Sequence, residues 1–593
     1  MEKPKKKILT GNEAIARGAY EYGIEVAAGY PGTPSSEILE NVVLYKDHVY
    51  CQWSPNEKVA FETATGAAFS GRRSMVTMKH VGLNVAADPF FTVAYSGIEG
   101  AFVIISADDP GMHSSQNEQD NRNYAKFAKI PMLEPSDSQE AKDFMGEAIK
   151  ISEEFDTPVM LRVTTRTCHS KSIVTLNDTR PENKKEFPPR QSQKYVMIPA
   201  HAKKRRLIMK ERLEKLSKYS EESKLNVEEI NDKEIGIITN GISYQYIKEV
   251  FPKASVLKLG MTNPLPMQKI RKFTETVKKC YVVEELDPFM EEQIKSAGIK
   301  VIGKEVIPEI GELNPEIIYK SITGKDFGYT NTVAELKLPT RPPALCPGCP
   351  HRGVYVVLKK LKARVSGDIG CYTLGVLPPL SSLDWQVCMG AGVSMTLGIE
   401  KGWDENVAEK LVGVIGDSTF IHSGITGLID MVYNKGTSTI IIMDNRITAM
   451  TGRQEHPATG KTLMGEETHE LNLVELVKAV GIKNVEVVDP LDLPELEKIL
   501  KTEMARREPS VVITRRKCVL IDKELKRIPV EVDPEKCTGC KLCLAVGCLA
   551  LSFEDKKTKV DPMLCTGCMV CARQCNFGAF KQNGTYLEFK KQK

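Results

Sequence analysis

Eight of the sixteen cysteines in this 593-residue chain lie between Cys537 and Cys575, and that density constrains the fold of the last stretch more than any other feature. A disulfide framework would require an oxidising compartment. The chain begins Met1-Glu2-Lys3-Pro4-Lys5-Lys6-Lys7, without the apolar stretch of a secretory signal, and no apolar run reaches the roughly 18 residues that span a bilayer. A cytoplasmic protein that engages no membrane is expected. In a reducing compartment so many close thiols serve metal or iron–sulfur ligation, and the spacing selects between them. The runs are Cys537-x2-Cys540-x2-Cys543-x4-Cys548 and Cys565-x2-Cys568-x2-Cys571-x3-Cys575. Three close thiolates hold one [4Fe-4S] cube and a fourth reaches its neighbour. One cluster is therefore expected on Cys537, Cys540, Cys543 and Cys575, the other on Cys565, Cys568, Cys571 and Cys548. Paired structural zinc sites also use Cys-x2-Cys units, but seldom three thiols at this spacing.

The remainder of the chain reads as ordinary globular sequence, 41% apolar and 27% charged. Its 81 basic and 77 acidic side chains leave a net charge of +4, which gives no footprint for nucleic acid. At roughly 150 residues per domain the length holds about four domains. The expected class is α/β and multidomain. Residues 1–176 alternate helical patterns with apolar strands such as 101–105 and 159–163, as in a parallel sheet. Residues 177–234 turn to Lys, Glu and Pro and read as a charged linker with a helix over 203–225. A small intermediate α/β domain is expected over 235–338, with strands at 235–239 and 280–283. After a Pro-rich joint at 339–343, a second parallel-sheet domain occupies 339–520, with buried strands at 410–415 and 439–443. The cysteine-rich α+β module, ferredoxin-like in its spacing, covers 528–588.

Within 339–520, Gly416-Asp417-Ser418 follows one apolar strand and Asp444-Asn445 follows the next. Successive strand ends converge at the carboxyl edge of a parallel sheet, where a carboxylate and an amide suit a hard cation that bridges phosphate oxygens. A Gly-Asp turn alone means little, since turn chemistry produces it widely. The pair, however, resembles the thiamine diphosphate motif, which implies that Asp417, Asn445 and the Ile447 carbonyl hold Mg²⁺ and that Gly416, Asp417, Ser418 and Asn445 bind the cofactor. The tail Thr448-Ala449-Met450-Thr451-Gly452-Arg453-Gln454 resembles that of the 2-oxoacid:ferredoxin oxidoreductase family.

Near the start, Tyr30-Pro31-Gly32-Thr33-Pro34-Ser35 is similar to the turn that opens the pyrimidine-binding domain of that family, although a turn and helix cap account for each residue. The resemblance implies that Thr33 contacts substrate and that Glu57, in Asn56-Glu57, hydrogen-bonds the aminopyrimidine and activates the cofactor. His80, in Thr77-Met78-Lys79-His80-Val81-Gly82-Leu83, falls on the substrate-side loop, as an acid–base group or as a structural histidine. Asp108 falls near the place of the substrate arginine of pyruvate enzymes. Cys346, Cys349, Cys371 and Cys518 match the ligands of a third, cofactor-proximal [4Fe-4S] cluster in those relatives; as buried thiols flanking turns they would need no metal.

The domain order resembles the alpha subunit of the indolepyruvate-oxidising branch of the family. It implies oxidative decarboxylation of arylpyruvates to acyl-CoA and CO2 in anaerobic aromatic amino acid catabolism, with electrons passing through the clusters to ferredoxin. Coenzyme A is the co-substrate. A separately encoded beta subunit, and a higher oligomer of the heterodimer, are expected partners. The alternatives are the same chemistry on branched-chain 2-oxoacids or pyruvate, a nonoxidative decarboxylase, or an electron-transfer scaffold without catalysis of its own. A fully loaded anaerobic preparation is expected to hold about 12 iron atoms per chain, three four-iron cubes, whereas a value near 8 would remove the third cube.

Overall fold

Aliphatic strand runs separated by helices build parallel sheets covered on both faces, so their strands are buried along their whole length. The computed structural model describes residues 5–183, 186–328, 342–403 and 409–587. Two compact units result, Met1–Leu336 and Lys337–Lys593. Most of the joint expected at 339–343, and residue 588, lie outside the described residues.

The first unit holds a seven-stranded sheet in the order Met261–Asn263, Met132–Leu133, Val159–Thr164, Phe102–Asp108, Ser74–Lys79, Val26–Gly29 and Tyr50–Trp53. All pairings are parallel except the first. The helix Glu57–Phe69 packs on this sheet through Ala60, Phe61, Ala64 and Ala68, one face at helical spacing. Phe61 meets Phe102 edge to face at 5.0 Å, and burial of such a ring stabilises by roughly 1.5–3 kcal/mol. Asn56 starts the helix by accepting from the Val59 amide at 2.9 Å, which places Glu57 at its first position.

A second sheet has the order Lys279–Val283, Asp232–Thr239, Ala254–Leu259 and Asn226–Glu229, the last antiparallel. Two stretches differ from the sequence reading. Met261–Asn263, inside 235–338, forms the edge of the first sheet, because Gly260 accepts from the Glu134 amide at 2.9 Å and Asn263 donates to the Ile130 carbonyl at 2.6 Å. The charged helix runs Pro199–Glu222 and is not wholly a solvated face. Met209 enters the core, and Arg205 and Arg212 reach Asp156 at 2.8 and 3.2 Å. Both arginines also donate to carbonyls of residues 94–96, the acceptors left without an intrahelical partner at the end of the helix Ala87–Ser96.

The same core joins the two sheets, with Met132 and Met160 packed in one cluster with Leu257 and Leu259. A buried ion network crosses this junction. Arg122 donates to Asp120 and Glu284 at 2.5 Å each and to the carbonyls of Glu285 and Asp287 at 2.7 and 3.0 Å.

The second unit holds a five-stranded, all-parallel sheet in the order Arg364–Ser366, Leu411–Gly416, Thr439–Asp444, Ser510–Arg515 and Asn484–Val488. Helices Ala391–Gly402, Ile425–Tyr433 and Leu473–Ala479 cover one face. Helices His351–Leu361 and Leu493–Met504 cover the other, and their core continues into the cysteine-rich segment. That segment contains short antiparallel pieces, Glu531–Val532 with Phe580–Gln582 and a hairpin of Leu551–Glu554 with Lys557–Val560. Among the described residues no helix is long and apolar enough to cross a membrane.

Replacing Arg122 with Ala leaves Asp120 and Glu284 buried without their cation. The expected cost is about 3–5 kcal/mol, read as a lowered denaturant midpoint for the first unit, and a cost below about 1 kcal/mol would show the network to be dispensable.

Candidate active site

Three neighbouring strands of the first sheet deliver the residues singled out near the N-terminus to its carboxyl edge. From Val26–Gly29 the chain enters the Thr33 turn, and Ser74–Lys79 runs directly into the short helix His80–Val85. That helix touches Glu57: a Cβ on Gly82 would lie 2.7 Å from Glu57 Oε1 and Cγ. Glu57 is itself only 5% exposed, so glycine at 82 makes room for its carboxylate. His80 is fully buried, with Nε2 3.0 Å from Asn117 Oδ1 and Nδ1 left without a partner. The Thr33 carbonyl accepts from Ser114 Oγ at 3.3 Å, which ties its turn to the loop after Phe102–Asp108.

Asp108 has a structural place. Arg162 donates to it at 2.9 Å and to Glu134 at 2.7 Å, and burial raises the Asp108 carboxyl above its ordinary value despite that cation.

In the second unit the two motif halves meet. Asp417, one residue beyond Leu411–Gly416, accepts from its neighbour Ser418 N at 2.9 Å and from Arg446 N at 2.8 Å. Burial acts to raise its carboxyl, but His456, with Nε2 at 3.3 Å, and those amides hold it below the usual value. Thr448 Oγ1 donates to Ser418 Oγ at 2.9 Å, closing the second loop on the first. Between Asn445 and Ile447, Arg446 takes φ +65°, an uncommon conformation outside glycine that re-aims the chain at this point. Asp444 shares the Arg446 amide with Asp417, accepting from it at 3.2 Å. Arg515 donates to the Asp444 carboxylate at 2.7 Å, and burial together with the Asp417 charge pushes it up to about 6. By chemical type the Asp417 carboxylate, Asn445 amide oxygen and Ile447 carbonyl are hard oxygen donors of the kind Mg²⁺ takes, and Asn445 Oδ1 accepts from the Ile447 amide at 3.2 Å. After the strand, a π turn over Phe420–Gly424 carries the buried His422, whose Nδ1 lies 2.8 Å from Ser423 Oγ. Such turns recur at functional sites.

The thiols gather in three foursomes. Cys537, Cys540, Cys543 and Cys575 line one small cavity. Cys571 lies in the electrostatic field of Cys568, Cys548 and Cys565, and burial raises it well above an ordinary thiol. Burial likewise pushes Cys349 up to about 12 and Cys371 to about 11, with Cys346 acting on both and Cys518 on Cys371. Among the described residues no three His, Cys, Asp or Glu side chains stand close enough to hold a single metal ion.

Three residues of this site were not singled out by sequence. His351 Nε2 lies 3.2 Å from Asn445 Nδ2, and the Cys518 amide donates to the Asn445 carbonyl at 2.9 Å, so the loops of two thiols brace the motif amide. Burial depresses His351 to about 4, leaving it a neutral acceptor for Asn445. His456 holds Asp417 as described. Lys79, next to His80, is 8% exposed. The sequence signals are slight: His351 is two residues past Cys349, and His456 two past Gln454.

A model described as "Pyruvate flavodoxin/ferredoxin oxidoreductase, thiamine diP-bdg" matches residues 17–233. One described as "Thiamine pyrophosphate enzyme, C-terminal TPP binding domain" matches residues 368–514. Indolepyruvate oxidoreductase subunit IorA of Archaeoglobus fulgidus is 42% identical over 97% of this chain and 97% of its own. The IorA subunit of Pyrococcus horikoshii is 40% identical over 98% of each. The 2-oxoglutarate synthase subunit KorA of Methanothermobacter thermautotrophicus is 31% identical over 29% of this chain and 47% of its own.

Replacing Gly82 with Ala places a methyl group where Glu57 stands. The expected result is a loss of activity of at least about 100-fold with the visible absorption and melting temperature retained, and near-normal activity would show that Glu57 does not depend on this contact.

Proposed function

Since the chain belongs to the 2-oxoacid:ferredoxin oxidoreductase family, as a catalytic subunit with thiamine-diphosphate-binding domains, we propose that it oxidises arylpyruvates, indolepyruvate among them. One 2-oxoacid anion and one coenzyme A thiol give acyl-CoA, CO2, a proton and two electrons, and the electrons leave through [4Fe-4S] clusters to ferredoxin. A separately encoded beta subunit completes the enzyme, assembled as a higher oligomer of the heterodimer in the cytoplasm. The ferredoxin-like module is assigned to 528–588 and the other domains to the bounds expected from sequence, except that 261–263 joins the first sheet and the helix Pro199–Glu222 packs on the first unit.

Bound thiamine diphosphate supplies the electron sink for loss of the carboxylate. The protein's part is positional. Glu57, held between its Asn56-capped helix and Gly82, is the carboxylate that would hydrogen-bond the aminopyrimidine of a bound cofactor and take up or give back its proton. Asp417, Asn445 and the Ile447 carbonyl would hold Mg²⁺, and Gly416 and Ser418 would line the diphosphate. Thr33 and His80 face the substrate.

The observation that carries the oxidative reading is the bracing of Asn445 by His351 and Cys518, which joins the diphosphate loop to the foursome Cys346, Cys349, Cys371 and Cys518. A cluster there lies beside the cofactor loop. Contacts also support an order for the others. A Cβ on Gly348 would lie 2.2 Å from Thr566 Oγ1, so the Cys346–Cys349 loop abuts the Cys565–Cys568 loop. Arg352 clamps both sides, donating to the Leu345 and Cys346 carbonyls at 2.7 and 3.1 Å and to those of Val546 and Gly547 at 2.6 and 2.7 Å. Cys571 feels Cys543 of the last foursome, and Cys540 there is exposed. The Cys-x2-Cys-x2-Cys spacing of the last two foursomes suits a four-iron cube better than zinc.

The test is anaerobic turnover of the two-subunit complex on a panel of 2-oxoacids with ferredoxin and coenzyme A. Arylpyruvates are expected to give the highest kcat/KM. Glu57→Gln is expected to lose about 10²- to 10⁴-fold with cluster absorption unchanged. Preference for pyruvate or branched-chain 2-oxoacids would overturn the substrate class, and an active Glu57→Gln complex would overturn the role of Glu57.

A further inference from the structure

Lys79 is the last residue of the strand Ser74–Lys79, at the edge of the sheet where α/β proteins bind ligands. Its side chain lies along the Thr33 turn: a Cβ on Gly32 would be 3.0 Å from Lys79 Cβ and 3.8 Å from its Cδ. The ammonium donates to the Ser114 carbonyl at 2.6 Å, and Ser114 Oγ in turn donates to the Thr33 carbonyl. Among the described residues no carboxylate reaches ion-pair distance of the ammonium. Asp109 is the nearby acidic group, but its oxygens are taken up by Ser114 N, Ser115 Oγ and Thr165 Oγ1 at 2.8, 2.5 and 2.8 Å. Burial lowers Lys79 to about 8, against the opposing pull of Asp109. A buried lysine without a carboxylate in direct contact is costly unless an anion completes it.

We propose that Lys79 binds the carboxylate of the 2-oxoacid substrate, beside Thr33 and on the same edge as Glu57. The assignment rests on the function proposed above and names the group that recognises the acid end of the substrate. One ammonium with a fixed carbonyl partner has donors left for a carboxylate and satisfies the charge that burial leaves exposed in energy. Because that carboxylate departs as CO2, the contact belongs to the bound substrate and is given up as the reaction proceeds. Its removal therefore weakens binding more than it slows the bond-breaking step.

The experiment uses the loaded two-subunit complex and two probes, 3-phenyllactate and its neutral amide. Phenyllactate keeps the carboxylate but has no keto group to react. Wild-type complex is expected to bind phenyllactate about 10- to 100-fold more tightly than the amide, as for a charge-assisted hydrogen bond. Lys79→Gln is expected to abolish that preference and to raise KM for phenylpyruvate with kcat within a few-fold. Lys79→Arg, which keeps the charge, is expected to restore the preference in part. A variant that still prefers the acid overturns the proposal and leaves Lys79 as a tie for the Ser114 loop. Should Lys79→Gln fail to fold, amidination of lysines in the wild-type complex answers the same question: phenyllactate is expected to protect Lys79 and the amide is not, and equal labelling overturns the proposal. Failure of the wild-type complex to oxidise any 2-oxoacid would instead sink the proposed function, whichever way Lys79 behaves.

Discussion

One of the two cores of the second unit has thiols packed among its aliphatic side chains, and what those thiols bind bears on the loops around them. Cys349, Cys543, Cys565 and Cys571 are buried in one cluster with Val354, Leu358, Leu496 and Leu500, and Cys346, Cys548, Cys568 and Cys575 pack against it. Burial raises Cys349, Cys543, Cys568 and Cys571, since a thiolate there loses its hydration and faces its neighbours' charge. Cys537 is the contrast: burial pushes it up, but the Thr558 and Gly539 amides and Lys557 bring it below an ordinary thiol. A neutral thiol packs as a small apolar group, but a thiolate in these surroundings needs a positive charge beside it, which on the proposed reading a cluster supplies. On the proposed reading, cluster loading and folding of 337–593 are one equilibrium.

That dependence reaches the diphosphate loop through backbone and side chain together. Asn445 is held by His351, two residues past one thiol, and by the amide of Cys518, itself a thiol of the same foursome. Asp417 is steadied from the opposite side by His456 and by the amide of Arg446, whose positive φ turns the chain between the two other proposed Mg²⁺ ligands. The loop therefore has little freedom of its own. Asp368 extends the same scaffold. It accepts from the Gly390 and Gly392 amides at 3.0 and 2.9 Å, and so fixes the segment that carries Cys371.

What could be read from sequence was whatever the chain carries in consecutive order. The Cys-x2-Cys-x2-Cys runs, the Gly416-Asp417-Ser418 turn after an apolar strand and the Asn56-Glu57 cap are each local, and local chemistry leaves a local pattern. The strands at 159–163 and 439–443 were legible for the same reason and extend one residue further, as Val159–Thr164 and Thr439–Asp444. The edge strand Met261–Asn263 was not, because three residues acquire strand geometry only from a partner about 130 positions away. Arg122, His351 and Lys79 share that property. Arg122 takes its meaning from Glu284, His351 from Asn445 and Lys79 from the Gly32 turn and Ser114, and none of these partners is near in sequence. The arginines on Pro199–Glu222 look like solvated charge until the carbonyls of residues 94–96 and Asp156 are placed opposite them.

The central claim is that decarboxylation on the thiamine side and the thiol foursomes are parts of one electron path. The most direct test is a single turnover without ferredoxin, in which the oxidised two-subunit complex is mixed anaerobically with one equivalent of arylpyruvate, with and without coenzyme A, and frozen for electron paramagnetic resonance. Reduced [4Fe-4S] signals are expected to grow in step with CO2 release and to rise further when coenzyme A is present. Release of CO2 and free aldehyde with the clusters still oxidised would contradict it.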